Sequence, residues 1–139
     1  MMAGASLAGL GPFAAYFALG VVLTALFVAI YMRLTAHDEI ALIRQGNLAA
    51  ALALGGNLAG FAIPLDKAIS QASSIPDCIV WAVVALIVQL LVYVVVRTLV
   101  PGLSTKIEEN NVAVGTFLAI TAISGGMLNA ASMTLYPGA

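Results

Sequence analysis

The sequence predicts an all-α, polytopic membrane protein: four transmembrane helices arranged as two tandem helical hairpins, a parallel internal repeat. Three observations carry this. First, 63% of the 139 residues are hydrophobic and 8% are charged, whereas soluble domains carry about 25% charged residues. A chain this short has no interior large enough to hide so much apolar surface from water. Second, the stretch Gly46 to Leu65, GNLAAALALGGNLAGFAIPL, is free of charge. At about 1.5 Å per residue it spans roughly 30 Å, the thickness of a bilayer's hydrocarbon core. Third, a shift of 64 residues lays the chain on itself without a gap. Arg33 falls on Arg97, Ile43 on Ile107, Asn47 on Asn111 and Ala49 on Ala113. Arg and Asn are uncommon here, so their shared spacing weighs more than matches among apolar residues. The whole chain, 1–139, reads as one membrane domain with repeat halves at about 13–65 and 77–129.

In chain order, Gly11-Pro12 opens the first span, about 13–34, because proline costs little where the N–H has no helical partner. Tyr31 and Arg33 read as an interfacial aromatic and a snorkelling cation at its far end. The first ten residues carry no basic side chain, so the first span is expected to be retained rather than cleaved as a signal peptide. Residues 35–45 form a polar loop with a short amphipathic turn. The second span, about 46–65, is ended by Pro64. In the next loop, Ser74 suits a helix cap, Pro76 a first turn, and Asp77 the positive helix end. The third span, about 78–100, is rich in β-branched residues, but its length in a membrane demands a helix. Cys78 is the only cysteine and reads as a small apolar residue. Pro101-Gly102 breaks the helix. The fourth span runs about 112–136, stopped by Pro137.

Spans one and three are bulky and suit lipid. Spans two and four are small-featured and are expected to meet at the centre. Gly46, Ala49, Ala53, Gly56 and Gly60 share one helix face, and Gly115, Ala119 and Gly126 form a comparable stripe in span four. The membrane-interface cations Arg33, Arg44, Arg97 and Lys106 flank loops one and three, against Lys67 alone in the middle loop. The positive-inside rule then places those loops in the cytoplasm and both termini in the periplasm.

Polar residues inside or beside the spans are the candidate site. Asn47 and Asn111 stand where helices two and four begin. Each reads either as an N-cap or as part of an amide ring at a pore mouth. Asn57, Gln89 and Asn129 lie deeper. They form either interhelical hydrogen bonds or a polar path. No Asp, Glu, His, Lys or Arg occupies the middle of a span, which argues against a self-contained ion-coupled carrier. His37 is the only histidine and has no second imidazole for a metal site within one chain. No acid, base or nucleophile cluster points to catalysis, and no cofactor is expected.

The signature Gly-Asn-x-Ala-Ala-Ala…Gly-Gly…Gly-Phe-Ala-Ile-Pro-Leu at Gly46 to Leu65, followed by a polar loop and a long third span, resembles the YjfL-like family. These are small bacterial inner-membrane proteins classed as a domain of unknown function. The resemblance implies a bacterial plasma-membrane location and carries no catalytic residues over.

The expected role is a non-enzymatic inner-membrane component working as a homo-oligomer, a dimer or larger, or with a membrane protein partner. Its environment is the lipid bilayer, and nucleic acid is not a partner. The alternative is a channel or permease for ions or a small polar solute, lined by spans two and four.

Overall fold

A computed structural model describes residues 2–133. Among them, four helices are long and apolar enough to cross a membrane. The first is preceded by a short helix, α1 (Met2–Ala8), and is itself α2 (Leu10–Leu34). α2 therefore starts before Gly11-Pro12, and Pro12 sits within its first turn, where the missing N–H still costs no intrahelical bond. A short helix α3 (Glu39–Arg44) follows, then α4 (Leu48–Ser70).

Pro64 was expected to end this span, but α4 runs through it to Ser70. A proline deprives the carbonyl four residues back, that of Gly60, of its donor, and only that one bond is lost. Packing holds the turns beyond it: Leu65 and Ala68 are buried, and the Ile69 side chain lies 3.3 Å from where a Cβ on Gly20 of α2 would stand. Neighbouring helices commonly support proline inside membrane helices in this way.

α5 (Ile75–Leu99) starts as its sequence predicts. The Asp77 N–H donates to the Ser74 hydroxyl at 3.2 Å, Pro76 lies in the first turn, and Asp77 supplies the negative charge there. The short α6 (Leu103–Glu108) leads into α7 (Val112–Met133). The fourth span's predicted end at Tyr136 and Pro137 lies outside the described residues.

The turns entering α4 and α7 are built alike. Gly46 and Asn110 both adopt positive φ, 86° and 61°. The next residue's N–H returns to the short helix in each: Asn47 to the Leu42 carbonyl and Asn111 to the Lys106 carbonyl, both at 2.9 Å. Asn47 then accepts from the Ala50 N–H at 2.8 Å, and Asn111 from the Val114 N–H at 3.2 Å. Both asparagines are thus N-caps, satisfying one of the free donors of the first turn.

α4 and α7 run parallel, in contact along their length. Gly115 meets Ala49, Gly56 meets Ala119, and Gly126 meets Gly60, so residue numbers rise together on both helices. α5 packs on both, and α2 packs on α4 and α5. A column of rings pins α2 to the bundle. Phe61 and Phe27 stack with centroids 4.6 Å apart, Phe27 and Tyr31 stack at 6.0 Å, and Tyr31 meets Tyr93 edge-on at 5.1 Å. Tyr31 is therefore buried rather than interfacial. The outer sides of α2 and α5 expose Phe13, Phe17, Leu26, Leu91 and Val95, the bulky apolar surface that lipid tolerates.

Candidate functional site

The predicted small-residue stripes form a tight seam between α4 and α7. Ala49, Ala53, Gly56 and Gly60 are buried on one side, and Gly115, Ala119 and Gly126 on the other. A Cβ added at Gly56 would overlap the Ala119 backbone. One at Gly115 would stand 2.7 Å from the Ala49 oxygen, and one at Gly60 would stand 2.7 Å from the Ala122 carbonyl carbon. Only glycine permits so close an approach of two backbones. At these positions α4 and α7 touch backbone to backbone. Gly46 does not belong to it. It lies before the helix in the left-handed turn, with nothing within 4 Å of its missing Cβ, so its role is conformational.

The predicted amides do not line one path. Asn47 is buried and ties the start of α4 to α6, its Nδ2 donating to the Ile107 carbonyl at 2.9 Å and the Glu108 carbonyl at 3.3 Å. The neighbouring Ala49 N–H donates to the Asn110 side-chain oxygen at 3.0 Å. Asn57 faces α2, donating to the Ala53 carbonyl at 2.8 Å and the Tyr31 hydroxyl at 3.3 Å. Gln89 donates to the Ala122 carbonyl of α7 at 3.1 Å, and Asn129 to the Ala85 carbonyl of α5 at 3.4 Å. Asn111 is exposed. Of the cations, Arg33, Arg44 and Arg97 are exposed and Lys106 is half-buried. Arg97 donates to the Leu34 carbonyl at 3.4 Å, closing the end of α2.

A second polar group lies on residues that the sequence places in an ordinary solvated loop. Residues 36–39 fold back under the ends of α2 and α5. There the Ala36 N–H meets the Ser104 hydroxyl at 3.3 Å, and the Thr35 hydroxyl donates to the Met32 and His37 carbonyls. The side chains of His37 and Glu39 are fully buried, with Nε2 and Oε1 3.2 Å apart. That is ion-pair distance, without the alignment of a hydrogen bond. Glu39 is close enough to Tyr31 and Tyr93 to act on both electrostatically, and Arg97 acts on Tyr93. Among the described residues, the Asn57 and Gln89 side-chain oxygens, both Glu39 oxygens and both His37 nitrogens have no hydrogen-bond partner, while the Tyr93 hydroxyl lies within reach of the Ser104 and Arg97 side chains. The available signal was the repeat register: a shift of 64 sets Glu39 against Leu103 and His37 against Pro101. Among the described residues, no group of three or more His, Cys, Asp or Glu gathers to hold a metal ion.

Residues 5–133 match the family described as Domain of Unknown Function (DUF350). The chain is 47% identical over 122 residues to the UPF0719 inner membrane protein YjfL of Escherichia coli (strain K12), covering 88% of this chain and 92% of that protein. It is 35% identical over 104 residues to the UPF0719 transmembrane protein YshE of Bacillus subtilis (strain 168), covering 73% of this chain and 78% of that one. No solved structure matches it. With four membrane-length helices and relatives of this kind, the chain belongs to the DUF350 family, as a YjfL-like, multi-pass protein of the inner membrane.

Proposed function

We propose that this protein is a non-catalytic inner-membrane component that works as an assembly, either a homo-oligomer or a complex with another membrane protein. The observation that supports this is the uncovered face of α4. α2, α5 and α7 leave bare a stripe of Gly55, Ala59 and Ala62, all exposed. Helices made to face lipid in this chain carry Phe, Leu and Val outward, as α2 and α5 do. Small residues on a membrane helix instead let a second helix approach closely. Gly56 and Gly60, by contrast, are used up inside the chain.

The test is Ala59→Leu, which alters the bare stripe and leaves the internal seam alone. Loss of cross-linked oligomer in native membranes, with a folded monomer, is the expected result. Unchanged cross-linking and unchanged mass by light scattering would count against the assembly.

The same reading takes the chain as two hairpins in tandem. Its support is the pair of matching turns, with α3 and α6, Gly46 and Asn110, and Asn47 and Asn111 each 64 residues apart. Arg33, Arg44, Arg97 and Lys106 support a cytoplasmic placement of the α3 and α6 end, with the termini periplasmic. A phosphatase fusion at each end checks this, and activity at the α3 loop rather than at the N-terminus would reverse it.

A further inference from the structure

We infer that copies of this chain join head to tail, the outer face of α7 on one copy packing against the bare face of α4 on the next. The inference rests on the assembly proposed above and names the two faces it uses.

The internal seam is the template. Its contacts are Ala49 with Gly115, Gly56 with Ala119 and Gly60 with Gly126. Moved back by 64 residues, Gly115, Ala119 and Gly126 correspond to Ala51, Gly55 and Ala62. α4 thus uses one face, and α7 answers with the equivalent of a nearly opposite one, since two residues turn a helix by about 200°. A twofold seam would also set Gly55 against Ile120, the reverse of Gly56 against Ala119. Instead, among the described residues, nothing lies within 4 Å of a Cβ placed on Gly55, and Ile120 is 59% exposed. An interface between two different faces leaves one of each unused, and repeating it adds units in a ring or a row.

The unused face of α7 carries Ala113, Ile120 and Ser124, the equivalents of Ala49, Gly56 and Gly60, and all three are exposed. That of α4 carries exposed Gly55 and Ala62 with half-buried Ala51. The register sets Ile120 of one copy against Gly55 of the next, a bulky side chain over a position that has none. Because α4 and α7 run parallel inside the chain, the same step keeps every copy in one orientation across the bilayer.

The two hairpins are alike enough for the step to repeat. Phe17, Gly20 and Leu65 line a groove between α2 and α4, and Trp81, Val84 and Asn129, each 64 residues on, line one between α5 and α7.

Polar groups supply an independent tie. Asn47 donates to the Ile107 and Glu108 carbonyls at the start of the seam. Its equivalent, Asn111, is exposed, and so is Arg44. The step brings the Asn111 amide to the Ile43 and Arg44 carbonyls of the next copy, a bond that close packing of small residues does not require.

The experiment co-expresses two differently tagged full-length variants, Gly55→Cys and Ile120→Cys, in a Cys78→Ala background. Native membranes are then treated with a short thiol-to-thiol cross-linker. The expected result is a mixed 55–120 dimer several-fold above either same-residue dimer, with a ladder beyond the dimer when one chain carries both changes. Arg44→Cys with Asn111→Cys is expected to link in the same way. An excess of 55–55 or 120–120 dimers overturns the head-to-tail arrangement and leaves the assembly standing. An oligomeric mass by light scattering with none of these links does the same. A monomeric mass overturns both.

Discussion

Gly56 lies with its Cα against the backbone of Ala119, so α4 and α7 touch main chain to main chain where most helix pairs are held apart by side chains. Gly56→Leu therefore strikes the chain's own core. The overpacking is expected to cost about 1–3 kcal/mol or more, read as unfolding at lower SDS fraction and faster alkylation of the buried Cys78. Gly55→Leu, one residue away on the bare face, is expected to leave both unchanged.

Asn47 and Asn111 make the same cap, but only Asn47 also holds the end of α6. Asn111→Ala should lose about 1 kcal/mol, the usual value of a cap. Asn47→Ala should lose more, by about 1 kcal/mol further, because its donated bonds to the Ile107 and Glu108 carbonyls go as well, while the Asn110 N–H still serves Ile107. Thermal melting of the two variants in one detergent compares them directly. Equal losses would mean that the tie to α6 is worth nothing.

Phe27 stands between Phe61 and Tyr31 and is fully buried. Phe27→Ala should cost about 3–5 kcal/mol. The damage should fall mainly on α2, which this column of rings helps hold to the bundle. Hydrogen exchange is expected to rise in α2 while α4 and α7 stay protected.

Gln89→Leu removes a buried amide with a single donated bond and one bare oxygen. Hydrogen bonds between membrane helices average about 0.6 kcal/mol, so the variant should lose less than about 2 kcal/mol. Denaturation in SDS measures it, and a larger loss would assign Gln89 a role beyond joining α5 to α7.

The caps were legible because Asn before an apolar run satisfies free N–H groups whatever the tertiary fold. The close-packing faces were legible because glycine and alanine at helical spacing have few other uses in a membrane. Gly46 falls on the same spacing as the packing face although it lies in a left-handed turn just before the N-cap Asn47. Pro64 was misassigned because its cost depends on what packs around the turn it disturbs. His37 and Glu39 were passed over because a polar loop looks solvated until helix ends close over it.

By itself the sequence determined that this chain lives in a membrane, how many helices cross it, and where α4, α5 and α7 begin. Those are consequences of apolar length and of local backbone chemistry. Which faces meet was decided only by the tertiary structure, since hydropathy does not separate an apolar side chain touching lipid from one touching protein. The burial of Glu39 against His37 was decided there too, because the groups that shut out water, at the ends of α2 and α5, come from segments far apart in the chain.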